Sequence, residues 1–186
     1  MVTNDIKTII ADIQASPKEC EWVEIKQNNY NPQLIGEYIS ALSNGAAYMG
    51  QSKGYLVFGI KDETHEIVGT DYNPQYEKIG NQELENWIAT QLSPRIDFVI
   101  HNDIVIDGKR VVLFVIDSAG NTPVKFRGTA YTRVGSYKKM LSDHPEIERK
   151  IWQNTHNNSF ETKIAKSGLN ADEVLDLIDY ASVFKL

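Results

Sequence analysis

The stretch Gly54-Tyr-Leu-Val-Phe-Gly-Ile-Lys-Asp62 constrains this chain more than any other. Tyr55 to Ile60 is a nearly unbroken apolar run, too short for a typical helix and rich in β-favouring residues. That is the pattern of a strand covered on both faces. The apolar character stops at Lys61-Asp62, a turn follows, and Glu66-Ile67-Val68 reads as a returning strand. Asp62 stands where a buried strand emerges, a place where a carboxylate is held rigidly and still reaches a ligand. A plain turn-forming Asp is the alternative.

The segment upstream strengthens the ligand reading. Glu19-Cys-Glu-Trp-Val-Glu-Ile-Lys26 alternates as a strand, with Val23 and Ile25 on one face and Trp22, Glu24 and Lys26 on the other. Glu24 and Lys26 are then same-face neighbours, able to share a phosphate or metal site, or else a cross-charge pair facing solvent. Asn31-Pro32 opens a helix as N-cap and first-turn proline. Its apolar face is Leu34, Ile35, Tyr38, Ile39 and Leu42, and Asn44-Gly45 has the composition of a C-cap. Strand, helix and strand make a βαβ unit, for which a parallel crossover is the default. The strand ends carrying Glu24–Lys26 and Lys61–Asp62 should therefore lie together, where open α/β sheets favour ligands.

Elsewhere, Ile6, Ile9, Ile10 and Ile13 form one helical stripe, with Thr3 as N-cap and Ser16-Pro17 as stop. Asn81 reads as the N-cap of a helix whose face is Leu84, Trp87, Ile88 and Leu92. Arg95 to Ile106 alternates, Asp107-Gly108 is a strong hairpin signal, and Val111 to Ile116 is again wholly apolar. A basic loop, Thr122 to Gly128, precedes a strand over Thr129–Val134. The corner Arg133-Val-Gly-Ser136 offers a guanidinium, amides and a hydroxyl suited to phosphate, or is only a turn. Glu146 to Trp152 can be helical. Asn170 with Glu173 resembles a capping box before a last amphipathic helix that ends at Leu186 without a terminator. The expectation is a mixed α/β (α+β) fold, a mixed β-sheet with a βαβ crossover and a β-hairpin, and helices packed on the sheet.

Charge narrows the partners. The net charge of −6 argues against indiscriminate coating of nucleic acid. Between Asp117 and Asp143, however, stand Lys125, Arg127, Arg133, Lys138 and Lys139 and no acidic residue. This is either one nucleic-acid or phosphate-binding face on an acidic body, or an ordinary solvated edge. Cys20 is the only cysteine, which excludes an internal disulfide and suits a reducing cytosol. With no 18-residue apolar run and no visible secretory signal, a cytoplasmic protein without membrane contact is expected. The four histidines lack metal-ligand spacing, and neither a phosphate loop nor a nucleophile elbow is present.

The series Glu19-x-x-x-x-Glu24-Ile25-Lys26, Ile39-Ser-Ala-Leu-Ser-Asn44, Gly54 to Asp62 with Ile67-Val-Gly69, Leu92-Ser-Pro94, Pro123 and Tyr131-Thr-Arg-Val-Gly-Ser136 resembles the Schlafen AlbA-like domain. One departure is visible: the family's Asn-x-x-Gly-Gly link is replaced by a longer stretch from Gly45 to Lys53. The resemblance implies residues 1–143 as a nucleic-acid-binding domain and 144–186 as a helical extension of a longer bacterial chain. In bacteria such domains belong to transcriptional-regulator-like or ATP-binding proteins. DNA or RNA would be held by Lys125, Arg127, Arg133, Ser136, Lys138 and Lys139. Eukaryotic Schlafens instead cut RNA with an acidic triad, which falls here on Glu19, Glu24 and Asp62, with Lys26 beside it. Carboxylates are hard ligands for Mg²⁺ or Mn²⁺, and such an ion can activate water at a phosphodiester. A metal-dependent endoribonuclease is thus the alternative to binding. A protein-interaction or oligomerisation module, including a homodimer or contact with a C-terminal domain outside this chain, is the third reading.

Overall fold

The apolar run is a central strand. The computed structural model describes residues 3–15, 20–28, 30–62, 64–156 and 170, with side chains from Ile6 to Thr155 and at Asn170. The chain divides after His156, and the elements below all lie in the first unit, Met1–His156. In order they are α1 (Thr3–Ala15), β1 (Val23–Lys26), α2 (Pro32–Met49), β2 (Lys53–Phe58) and a small hairpin of β3 (Lys78–Ile79) and β4 (Gln82–Glu83). Then come α3 (Leu84–Gln91), β5 (Leu92–Ser93), β6 (Phe98–Ile106), β7 (Lys109–Asp117), β8 (Lys125–Phe126), β9 (Thr129–Val134), β10 (Tyr137–Met140) and α4 (Pro145–His156).

Two four-stranded sheets result. The first has the order β1-β2-β7-β6, with β1 parallel to β2 and the other pairs antiparallel. The second, β10-β9-β8-β5, is wholly antiparallel. This is the mixed α+β architecture with the βαβ unit β1-α2-β2. Period-two alternation puts Leu56 and Phe58 on one face of the first sheet and Val57 on the other. Ile6, Ile10 and Ile13 of α1 cover the Val57 face together with Val23, Ile25, Val111, Leu113 and Val115. Against the other face pack Ile35, Ile39 and Leu42 of α2, Leu84 and Ile88 of α3, and Val124 and Phe126 of the second sheet. Leu56, Val57 and Phe58 are fully buried, so both layers are required by this strand.

Several boundaries differ from the sequence expectation, each for a packing reason. Helix α2 does not stop at Asn44-Gly45 but runs to Met49, where Gly50 at φ 70° caps it. Asn44 is buried and its side chain serves the second sheet: Nδ2 donates to Val124 O and Tyr131 O, both 2.8 Å away, and Oδ1 accepts from Val124 N at 2.7 Å. Gly45 is small because a Cβ there would lie 1.9 Å from the carbonyl oxygen of Glu21. The two residues that resemble a helix stop are a tertiary joint. Asn81 belongs to the β3–β4 turn, and Glu83 stands at the N-cap position of α3. The returning strand at Glu66–Val68 is reduced to one bridge, Ile60 with Ile67.

The alternation of residues 95–106 is also interrupted. Between His101 and Ile104 the β6 register shifts by one residue against β7. A bulge of that kind turns subsequent side chains to the opposite face. Phe98 and Ile100 accordingly face α2, whereas Ile104 and Ile106 face α1. Strand β10 carries no strong apolar pattern and escaped the sequence reading; it pairs with β9 across the Gly135–Ser136 turn. Helix α4, assigned by sequence to the extension, places Ile147 and Ile151 in the α2 core. Its Asn154 Nδ2 donates to the α2 carbonyls of Ala47 and Tyr48, at 2.9 and 3.0 Å. The last helix expected after Asn170 lies outside the described residues.

An alanine in a helix interior ordinarily gains about 1 kcal/mol over glycine. At Gly45 the clash reverses that sign. Gly45→Ala should lower unfolding free energy by about 1–3 kcal/mol in urea titration, and a more stable variant would contradict the close approach to Glu21.

Candidate functional site

Strand β1 sends Val23 and Ile25 toward α1 and Glu24 and Lys26 toward the opposite side, as its alternation demands. Trp22 does not follow that alternation: it lies in the turn before β1 and packs on the α1 side. Parallel pairing aligns Lys26 with Phe58 and continues through Gly59 N to Lys26 O at 2.9 Å. The following turn brings Asp62 to the end of β1. Lys26 Nζ lies 2.6 Å from Glu24 Oε1 and 3.4 Å from Asp62 Oδ2. The expected meeting of the two strand ends is present, but with a lysine ammonium between the carboxylates.

The second cation at Glu24 was not expected. Arg133 of β9 is 0% exposed and its Nη1 forms an ion pair with Glu24 Oε2, itself on a side chain 2% exposed. The same Nη1 donates to Val23 O at 2.6 Å. Arg133 is therefore a correction to the sequence reading. It does not join an exposed basic face, because residues 131 and 133 of β9 point toward α2 and β1, and the phosphate corner at Ser136 lacks its guanidinium. Ser136 itself is exposed in the turn.

A polar belt continues across α2. Arg127 Nη1 donates to Gln33 Oε1 at 3.0 Å, and Gln33 Nε2 donates to Glu37 Oε1 at 2.9 Å. Glu37 pairs through Oε2 with Lys138. Lys138 Nζ sits 4.8 Å from the Tyr38 ring centre and Lys26 Nζ 5.6 Å from it, so one ring receives two ammonium groups. Burial pushes the Glu37 carboxyl up, but hydrogen bonds from Lys138 and Gln33 and the Lys138 charge outweigh it and hold the group below the usual carboxylate range. Gln33, Glu37 and Tyr38 were absent from the sequence reading as site residues. The i, i+4 spacing of Gln33 and Glu37 was the available signal.

Charges inside this belt cancel: Glu24 and Asp62 against Arg133 and Lys26, Glu37 against Lys138. Lys125, Arg127 and Lys139 are exposed instead, and among the described residues none of them pairs with a carboxylate. For a divalent metal the described donors fit poorly. Both Glu24 oxygens are engaged by cations, Asp62 alone is open at 48% exposure, and Glu19 lies outside the described residues. Among the described residues no three His, Cys, Asp or Glu side chains are grouped to hold a metal ion. No described helix is long and apolar enough to cross a membrane.

Residues 19–142, two thirds of the sequence, match the family described as Schlafen, AlbA_2. The chain belongs to the Schlafen AlbA_2 family. It is similar, at 29% identity over 136 residues, to an uncharacterised ATP-binding protein of Ureaplasma parvum serovar 3, covering 72% of this chain and 35% of that protein. The crystal structure of the DIP2311 protein from Corynebacterium diphtheriae matches with a TM-score of 0.49 and 18% identity, over 90% of this chain and 29% of that one. The Schlafen AlbA_2 chain thus spans about a third of the length of both.

Two outcomes follow from the belt. Arg133→Met should cost about 3–5 kcal/mol, because it leaves a buried carboxylate short of a partner. The double variant with Glu24→Gln should cost less than the two single changes together in denaturant titration; strict additivity would mean the pair is not coupled. Glu37 has a folded value below its unfolded one. Its contribution is complete above the usual carboxylate range and lost as pH falls through the folded value. The stability gap between the protein and Glu37→Gln should therefore close on acidification, and a gap that widens there would refute the assignment.

Proposed function

We propose that this Schlafen AlbA_2 chain is a nucleic-acid-binding module of a bacterial regulator-like protein, and that it holds DNA or RNA by the exposed cations of its second sheet. The observation that carries this reading is the division of charge. The internal cations are neutralised by Glu24, Asp62 and Glu37, while Lys125, Arg127 and Lys139 face solvent without a carboxylate partner among the described residues. These three lie in residues 118–142, which carry no acidic side chain, and a local excess of positive charge on an acidic chain attracts polyanions there. Each phosphate they neutralise releases condensed counterions, which gives affinity without base specificity. Lys138 belongs to this face only in part, since Glu37 already holds it.

Cleavage through Glu19, Glu24 and Asp62 with Mg²⁺ or Mn²⁺ is the less supported reading. A carboxylate clamped by an arginine and a lysine is a weak ligand for a further cation, and three acids repel phosphate unless a cation stands between. Lys26 already supplies that cation in the arrangement seen here.

Titrating labelled oligonucleotide against salt tests the proposal. Lys125→Ala, Arg127→Ala and Lys139→Ala together should weaken binding at low salt and make the slope of log affinity against log salt shallower by roughly 2–3. Asp62→Asn should leave binding intact or tighten it by removing local negative charge. An unchanged slope in the triple variant would refute the interface. Mn²⁺-dependent cleavage of structured RNA that disappears in Asp62→Asn would replace binding by catalysis.

A further inference from the structure

Tyr137 has no role in the belt, the core or the turn. It opens β10, the edge strand of the second sheet, and is 70% exposed. An exposed aromatic ring leaves a large apolar face open to a stacking partner. Cross-strand from it is Val134, 40% exposed, and two residues along is Lys139, whose ammonium lies 5.9 Å from the ring centre. Residues 118–142 contain no acidic side chain. The ring therefore stands in solvent with a cation beside it and no carboxylate close by in sequence.

We infer that Tyr137 is a stacking platform for an unpaired base, and that the nucleic acid bound by this module is single-stranded. The inference rests on the binding function proposed above and names its substrate class. A duplex presents phosphates at its surface and keeps its base faces covered, so it can use Lys139 but not the ring. An unpaired base can lie on the ring while the phosphate next to it meets the ammonium, which is how stacking and charge combine in single-strand recognition. Stacking is tolerant of sequence, because every base has a π-face. Little base preference is expected.

Fluorescence anisotropy with the full chain, a labelled single strand and the duplex of the same sequence tests this, together with a strand carrying 2-aminopurine. The single strand should bind more tightly, and 2-aminopurine emission should be quenched on binding. Tyr137→Ala should weaken single-strand binding roughly 5- to 100-fold, abolish the quenching and leave the salt slope unchanged, whereas Tyr137→Phe should retain both. Because the ring is exposed, the melting temperature of either variant should match that of the parent. Equal affinity for duplex and single strand, or unaltered binding in Tyr137→Ala while the triple cation variant loses affinity, would overturn the stacking role and leave the charge reading standing. No salt-sensitive binding to either probe would overturn both. Dissociation of a dimer in Tyr137→Ala, with binding unaffected, would assign the ring to a contact between copies and overturn the inference.

Discussion

The two sheets of this domain are joined by one buried ionic knot, and the rest of the architecture is arranged so that the knot closes. Glu24 comes from the parallel edge of the first sheet and Arg133 from the middle of the second. A carboxylate at 2% exposure and a guanidinium at 0% are each costly to bury alone. Their proximity, the Lys26 ammonium on the other carboxylate oxygen and the Val23 carbonyl under the guanidinium offset that cost. A buried pair of this kind is weak support for stability in itself, but it strongly disfavours any packing that separates its members. It sets how β9 lies against β1.

Helix α2 makes that juxtaposition possible by placing small and polar residues beside its core-facing Ile35, Ile39 and Leu42. Ser40, Ser43, Asn44 and Gly45 are all buried. Ser40 Oγ donates to Val124 O at 2.7 Å and accepts from Tyr131 N at 3.0 Å, while Ser43 Oγ donates to Asp117 O at 2.8 Å. On its neighbouring turn, Gly36 admits the Phe126 ring, which would lie 2.1 Å from any added Cβ. The helix thus satisfies backbone groups in and beside both sheets, as buried polar atoms require.

These contacts also separate structural charge from free charge. Ion pairing inside the belt reaches neutrality, so the long-range field of the second sheet comes from Lys125, Arg127 and Lys139 at its hairpins and edge. The residues that first attract attention as a site, Glu24, Lys26 and Arg133, hold the sheets together. The less patterned cations at the periphery are the ones left exposed and form the proposed interface. Tyr38 links the two systems, since Lys26 approaches its ring on behalf of the knot and Lys138 on behalf of the surface.

By itself the sequence determined several features that depend on neighbours along the chain. The two apolar runs became β2 and β7, Asp107-Gly108 became a turn with both residues at positive φ, and Asn31-Pro32 capped α2 through Asn31 Oδ1 to Gln33 N at 2.9 Å. The parallel βαβ unit, and with it the approach of Lys26 to Asp62, followed from segment lengths and alternation. Tertiary structure alone decided the rest. Asn44-Gly45 is indistinguishable from a helix stop until Val124, Tyr131 and Glu21 are in place around it, and the bulge after His101 reverses a face without altering the alternation. Arg133 reads as a phosphate ligand because arginine in a basic, glycine-containing corner ordinarily faces solvent. Its burial depends on a carboxylate 109 residues away, a pairing that no local pattern encodes.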